Sequence, residues 1–215
     1  MKKLESSLKN MTLALTGFSV VAGAILGWVN EVTAQPIAQA NAKTLGDAIA
    51  VVVPGFDNNP AEAPDTIDVD GVSYKIYKAT KGGELIGTAV ESVSKGFGGD
   101  LKILVGFDVE GNIIDYSLLS HSETPGLGSK AADWFKKGAK GDITGKNPGK
   151  TPLSVSKDGG EIDAITASTI TSRAFLAAVN SAYGVYKNQH VDGISAATQQ
   201  ATDIDNQKGE EQDHE

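Results

Sequence analysis

Cysteine is absent from this 215-residue chain, and histidine occurs only three times, at His121, His190 and His214. Without cysteine the chain forms no disulfide, and it offers no thiolate for an iron–sulfur cluster, a zinc site or thioether-linked haem. Three scattered histidines also argue against a zinc or copper centre, so we predict no metal site. Any redox chemistry of this chain therefore needs an organic cofactor.

Positive charge is also scarce, since 19 lysines and arginines stand against 27 acids, for a formal net charge of −8. This balance argues against nucleic acid as a partner. Residues 203–215 hold six acids and one lysine, a net −5, so the rest contributes −3. We expect residues 191–215 to form an acidic, solvated and mobile tail. Neither a phosphate-binding loop of the GxxxxGK[ST] type nor a GxGxxG dinucleotide fingerprint occurs.

A run of 21 residues without charge, residues 10–30, reads NMTLALTGFSVVAGAILGWVN. At about 1.5 Å per residue, a helix of this length spans roughly 30 Å, the thickness of a hydrocarbon core. The run contains three glycines, which are common in membrane helices, and Trp28 lies near its end, where interfacial aromatic residues are frequent. We therefore predict one transmembrane helix in the lipid bilayer.

The lysines around this run predict its orientation. Lys2, Lys3 and Lys9 precede it, and the next cation is Lys43. The positive-inside rule then places residues 1–9 in the cytoplasm and the main domain outside a prokaryotic inner or plasma membrane. A cleaved signal peptide, cut near Val32-Thr33-Ala34, is the alternative, but the apolar run exceeds the usual length of a signal core. We expect an uncleaved anchor, and both interpretations export the domain.

An extracytoplasmic domain is predicted at residues 66–190, after a linker and short helix at 31–65. The segment 31–45 suits either a linker or an extension of the membrane helix, and a helix over 45–53 would end at Pro54-Gly55. The following segments alternate apolar and polar residues, with Asp70-Gly71 and Glu110-Gly111-Asn112 as turns. They predict two short strands within residues 66–80 and longer strands at 84–94, 101–109 and 113–121.

Two helices are predicted to close this domain. Residues 129–140 begin with Ser129 as a candidate N-cap and end in lysines. Residues 168–187 carry an apolar stripe that includes Ile170, Ala174, Leu176–Ala178 and Tyr183. The predicted class is α+β: a twisted antiparallel sheet with helices packed on it, preceded by the membrane helix.

Three segments offer binding chemistry. His121-Ser-Glu-Thr-Pro-Gly-Leu-Gly128 follows a strand, and its glycines allow the backbone to approach a flat ligand. Asp163-Ala-Ile-Thr-Ala-Ser-Thr-Ile-Thr-Ser172 opens the last helix, whose N-terminus favours a phosphate. Taken locally, the two segments are better explained as an ordinary strand-to-helix connection and an N-cap with spare hydroxyls. Residues 95–100, Lys-Gly-Phe-Gly-Gly-Asp, are expected to serve structure, as a bulge or close backbone approach.

These segments, in this order behind one membrane helix, resemble the G subunit of the Rnf ferredoxin:NAD oxidoreductase complex and the related C subunit of the sodium-pumping NADH:quinone reductase. The flavinylation motif of that family is Asp-x-x-Ser/Thr-Gly-Ala-Thr. Residues 163–169 match it at Asp163, Thr166 and Thr169, and depart from it at Ala167 and Ser168, where Gly-Ala is usual. Residues 121–128 are similar to the family's flavin-contacting loop.

The resemblance implies a flavoprotein with FMN joined covalently, through its phosphate, to Thr169. It also implies supporting roles at the phosphate for Thr166, Ser168 and Thr171, and a role for Asp163 in attachment by a flavin transferase that uses FAD and Mg²⁺. The implied flavin-contacting loop contributes His121, Glu123, Thr124, Gly126, Leu127 and Gly128.

The implied function is electron relay within a translocating oxidoreductase complex, with no complete active site on this chain. Its implied partners are the other membrane and peripheral subunits of that complex. Two other classes stay open: an exported module that binds a different phosphorylated ligand, and a stand-alone flavoprotein. The chain length favours the Rnf type over the quinone reductase.

Overall fold

The computed structural model describes residues 8–69 and 71–188, and the chain divides into two compact units at Leu45. The cytoplasmic segment before residue 8, the acidic tail at 191–215 and Asp70 of the predicted turn lie outside the described residues. Within them, the class is α+β as predicted: a long apolar helix followed by a five-stranded antiparallel sheet with further helices.

Helix α1 (Leu8–Val52) continues well beyond the predicted membrane segment. Its most apolar 18-residue window has a mean hydropathy of 1.8 and no residue buried within the protein, so by length and composition the helix suits a membrane span. Residues 31–45, for which the sequence allows both a linker and a helix, are helical through Pro36. The helix ends before Pro54, and Gly55 adopts a positive φ of 91° that favours glycine.

The sheet is an antiparallel meander in sequence order, and each predicted strand is present. Its strands are β1 (Asp65–Val69), β2 (Val72–Lys81), β3 (Glu84–Lys95), β4 (Asp100–Phe107) and β5 (Ile113–Ser120). Antiparallel order leaves the turn between β3 and β4 and the segment after β5 at the same end of the sheet. That end carries two of the three segments singled out in the sequence.

Both faces of the sheet are covered, which explains why its central strands are apolar on both sides. One face packs against the end of α1, where Ile49 and Val52 contact Tyr77 and Leu104 in one buried cluster. The other face belongs to the larger core, which it forms together with the C-terminal helices. The fully buried side chains of that core include Ile76, Val90, Ile103, Val105, Phe107, Tyr116, Phe135 and Phe175.

The helix predicted over residues 129–140 is much shorter. A 3₁₀ turn (Gly128–Lys130) leads into α2 (Ala131–Trp134), and turns follow. Phe135 leaves helical geometry and stacks on Phe175 with ring centroids 4.3 Å apart. Ser129 is not the N-cap, since its hydroxyl accepts a hydrogen bond from the Gly126 N–H. Burial of Phe135 and the positive φ of Gly138 therefore end the helix that local propensity favoured.

The last helix, α3, spans residues 169–188 and agrees with the prediction in position. Ala174, Leu176 and Ala178 lie in the core as predicted. Ile170 and Ala177 do not: the Ile170 side chain is 53% exposed and Ala177 is also exposed, so the assignment of both to the apolar stripe was wrong. Ile170 lies in the first turn of α3, where its side chain does not pack against the core.

Candidate cofactor-binding site

A cleft of about 390 Å³ opens at the N-terminal end of α3. Three separate segments of the chain form its walls: the turn between β3 and β4, the loop after β5, and the segment that begins α3. The lining residues are Phe97, Glu123, Thr124, Leu127, Gly128, Ala167, Ser168, Thr169, Ile170 and Thr171. The structure therefore brings together residues from all three segments singled out in the sequence.

The loop after β5 contributes one polar anchor and one apolar side chain. Glu123 is buried, with 5% of its surface exposed, whereas Leu127 is 41% exposed at the cleft. Gly128 lies so close to the neighbouring wall that a Cβ there would come within 2.7 Å of the Thr171 hydroxyl. A larger residue at position 128 would therefore separate this loop from α3.

The segment that begins α3 contains an unusual backbone conformation. Ala167 has φ +62°, the one positive φ of a non-glycine residue in the described part of the chain. The left-handed region is strained for alanine and open to glycine, so glycine would suit this position better than the alanine present. The reversal at Ala167 leads directly into the first turn of α3, where Thr169 lies.

The hydroxyls of this segment have different environments. Thr171 is buried and donates to the Glu123 carboxylate at 2.7 Å, and Ser172 is buried and accepts from the Ile165 N–H at 2.9 Å. Ser168 is also buried, whereas Thr169 is half-buried and faces the cleft. Among these hydroxyls, Thr169 therefore combines access to a ligand with a place in the first turn of a helix.

Phe97 is a site residue that the sequence prediction missed. It lies between Gly96 and Gly98 in the β3–β4 turn, with 69% of its surface exposed at the cleft. Its backbone N–H donates to Glu123 Oε1 at 2.7 Å, so its position is fixed although its ring is open to solvent. An aromatic residue flanked by glycines is the signal in the sequence, and it equally fits a purely structural turn.

Lys157 is the second missed residue. It belongs to a 3₁₀ turn (Ser156–Asp158), and its Nζ donates to Thr169 Oγ1 at 3.2 Å. The neighbouring Asp158 is engaged by Arg173 through two hydrogen bonds of 2.7 and 2.6 Å. Those hydrogen bonds hold the pKa of the Asp158 carboxyl below its ordinary value, and the charges of Arg173 and Lys157 act in the same direction.

The remaining predicted residues lie beside the cleft rather than in it. Asp163 and Thr166 are exposed and line a second cleft of about 380 Å³, which Lys157 and Ala167 also line. His121 accepts a hydrogen bond from the Glu123 N–H, and Gly126 forms the loop's turn with φ +74°. None of these four predicted residues lines the first cleft.

The first cleft combines two chemistries. Exposed apolar side chains of Phe97, Leu127 and Ile170 line it, and the Thr169 hydroxyl is its polar group. Lys157, which lines the second cleft, places its amine 3.2 Å from that hydroxyl and adds a positive charge at the boundary. The N-terminus of α3 adds unpaired N–H groups and a positive dipole end. No group of three or more potential metal ligands occurs within residues 8–69 and 71–188. The cleft therefore suits an organic ligand with a flat apolar part and an anionic end.

Comparison with known proteins identifies the class. The family model of the FMN-binding domain matches residues 96–184, a range that contains all three walls of the cleft. FMN has a flat ring system and a phosphate, which correspond to the apolar side chains and the polar groups at the cleft.

Curated relatives then identify the family. The G subunit of the ion-translocating oxidoreductase complex of Cereibacter sphaeroides is 34% identical over 175 residues, covering 78% of this chain and 79% of the relative. The G subunit of the same complex from Shewanella piezotolerans is 33% identical over 219 residues, covering 96% of this chain and 100% of the relative. The chain therefore belongs to this family of G subunits, as its motifs indicated. Among solved structures, the crystal structure of Shewanella oneidensis NqrC is similar with 23% identity and a TM-score of 0.43, over 58% of this chain and 64% of that one.

Proposed function

We propose that this protein is a membrane-anchored carrier of one FMN, linked through its phosphate to Thr169, that relays electrons within an Rnf-type ferredoxin:NAD oxidoreductase complex. The observation that carries the proposal is the position of Thr169. Thr169 is the first residue of α3, and its hydroxyl faces the cleft and lies beside the Lys157 amine. All of these groups lie within the FMN-binding domain.

The geometry favours Thr169 over the neighbouring threonines. The Thr171 hydroxyl is buried and already donates to Glu123, so attachment there would break an internal hydrogen bond. Thr166 is exposed but lines the second cleft, away from the apolar side chains of the first. Thr169 is also the residue that occupies the last position of the family's flavinylation motif.

The anionic end of the cofactor would be held by Lys157 and by the first N–H groups of α3. A phosphodiester at Thr169 carries one negative charge, and an ammonium group within hydrogen-bond distance of Thr169 Oγ1 stabilises that charge. The helix dipole acts in the same direction over the first turn. Ser168 belongs to the same segment and lines the same cleft.

The ring would be held by the exposed apolar side chains of Phe97, Leu127 and Ile170. Bound flavin supplies both one- and two-electron chemistry, which a chain without cysteine, and without a cluster of potential metal ligands in residues 8–69 and 71–188, does not supply itself. The side chains exclude water from part of the ring and set its orientation.

Covalent attachment suits the location that we propose for the domain. An exported carrier cannot replace its cofactor from the cytoplasmic pool if the cofactor dissociates. We propose that α1 anchors the chain in the lipid bilayer with residues 1–9 in the cytoplasm, and that a flavin transferase attaches FMN outside. The other subunits of the complex would supply the electron donor, the acceptor and the ion pathway.

The proposal is tested with the full chain, co-expressed with its flavin transferase and purified in detergent. Intact mass should show one FMN less one water, and peptide mapping should place it on Thr169. Thr169→Val should fold and remain colourless, while Thr166→Val, the matched control, should keep its covalent flavin. An adduct that persists in Thr169→Val would contradict the attachment site. A wild-type protein without flavin would favour a module for another phosphorylated ligand. Purification from the native host without accompanying membrane subunits would favour a stand-alone flavoprotein.

A further inference from the structure

We infer that Glu123 is a positioning residue with two separable effects: its geometry holds Phe97 at the cleft, and its charge makes the bound flavin harder to reduce. This inference rests on the proposed function and concerns the same site. It differs from the role implied by the family resemblance, in which residues 121–128 contact the flavin directly.

The hydrogen bonds of Glu123 join all three walls of the cleft. Oε1 accepts from the backbone N–H of Phe97 at 2.7 Å and from that of Gly98 at 3.3 Å. Oε2 accepts from the Thr171 hydroxyl at 2.7 Å. One side chain of the loop after β5 therefore fixes both the β3–β4 turn and the first turns of α3.

The backbone around the carboxylate is shaped for this contact. A Cβ at Gly96 would overlap Glu123 Oε1, and a Cβ at Gly128 would come within 2.5 Å of Oε2. A Cβ at Gly98 would overlap the carbonyl oxygen of Ser122, next to Glu123 in the chain. Gly96 and Gly128 thus leave room for the buried side chain of Glu123, and Gly98 leaves room for the backbone beside it. These contacts explain why glycine occupies positions 96 and 98 of the β3–β4 turn.

None of the ion pairs formed within residues 8–69 and 71–188 includes Glu123. Its carboxyl oxygens accept from two backbone N–H groups and one hydroxyl, and all three of these donors are uncharged. The side chain is 5% exposed and lines the cleft. A fixed negative charge with little solvent around it opposes the addition of an electron nearby, so it lowers the reduction potential of a flavin bound there.

Two conservative substitutions separate the geometry from the charge. Glu123→Gln removes the charge but keeps its shape: the amide oxygen accepts from Phe97, and the amide nitrogen donates to the Thr171 hydroxyl. Glu123→Asp keeps the charge but is one methylene shorter, so its carboxylate no longer reaches both walls. Glu84→Gln is the control for charge, because Glu84 is exposed and lies at the other end of β3, roughly 35 Å along the strand.

The first measurement uses protein made without the flavin transferase, so it does not depend on the cofactor. Hydrogen exchange at the Phe97 and Gly98 amides should be about ten-fold faster in Glu123→Asp and unchanged in Glu123→Gln, because only the shorter side chain loses these hydrogen bonds. Equal exchange in wild type and Glu123→Asp would overturn the positioning role.

The second measurement is a dithionite titration of flavin-loaded protein. Glu123→Gln should shift the flavin midpoint potential to more positive values, while Glu84→Gln should leave it at the wild-type value. An unshifted potential in Glu123→Gln, with covalent flavin present, would overturn the electrostatic role. Absence of flavin from the wild type would instead contradict the proposed function, while the exchange measurement would still decide the positioning role.

Discussion

The side-chain amine of Lys157 lies 3.2 Å from the hydroxyl oxygen of Thr169, across a separation of 12 residues in the chain. The carboxylate of the adjacent Asp158 accepts hydrogen bonds from Arg173 Nε and Nη2. It therefore does not draw the Lys157 amine away from Thr169. With FMN attached at Thr169 as we propose, this arrangement would place a positive charge beside the phosphoester oxygen. We therefore expect Lys157 to act during attachment as well as after it.

We predict that Lys157→Gln slows covalent attachment of FMN roughly ten-fold, the effect expected for the loss of one partly solvated, charge-assisted hydrogen bond. The measurement is the rate of appearance of the flavin adduct by intact mass, with purified transferase and FAD. Lys150→Gln is the matched control, since Lys150 is also exposed but lines a different cleft. Lys157→Arg should restore most of the rate. Equal rates for Lys157→Gln and Lys150→Gln would exclude the role.

Ala167 gives a prediction about stability. Its φ of +62° lies in the region where an L residue with a Cβ is strained, and glycine removes that strain at the cost of greater freedom in the unfolded chain. We expect Ala167→Gly to raise the free energy of unfolding by about 1 kcal/mol, or about 2–4 °C in the melting temperature. The change in melting temperature is measured by thermal unfolding of the detergent-solubilised full chain.

The control for Ala167→Gly is the same substitution in an ordinary helix. Ala177 is exposed in the interior of α3, so Ala177→Gly should lower the free energy of unfolding by about 1 kcal/mol. Opposite signs at the two positions would establish that the backbone conformation, and not the loss of a methyl group, determines the effect. Destabilisation at both positions would contradict the strain at Ala167.

The sequence predicted the strands well because their patterns are local. Alternating apolar residues and the turns Asp70-Gly71 and Glu110-Gly111-Asn112 specify a meander without information from distant parts of the chain. The prediction of a helix over residues 129–140 was wrong because the length of the helix depends on Phe135, which stacks on Phe175, 40 positions later. Local propensity carries no information about that contact.

The candidate site was predictable in part, for a related reason. Seven of the eleven predicted residues line the first cleft, and their roles in binding stay predictions. Phe97 and Lys157 were missed because each is placed by a partner remote in sequence: Phe97 by Glu123, 26 residues away, and Lys157 by Thr169. Ile170 was misassigned because helical periodicity does not distinguish a core position from an apolar side chain at a ligand site.

Leu127 tests the placement of the ring. We expect Leu127→Gln to shift the flavin midpoint potential and absorption spectrum, because a polar side chain replaces an apolar one at the cleft, while covalent flavin persists. Val109→Gln is the control, since Val109 is 50% exposed in the β4–β5 connection, at the opposite end of the sheet. If Leu127→Gln folds and changes neither the potential nor the spectrum, the ring does not lie against Leu127.

The orientation of α1 gives the last prediction. Three lysines precede the apolar run and the next cation is Lys43, so residues 1–9 should remain in the cytoplasm and the domain should lie outside. Protease added to sealed spheroplasts of cells expressing an N-terminally tagged chain should digest the domain and leave a small, tagged membrane fragment. The same tag shows that the anchor is retained, and a cytoplasmic marker protein shows that the spheroplasts are intact. A domain that resists protease until the cells are lysed would reverse the assigned topology, because a domain on the cytoplasmic side becomes accessible only then.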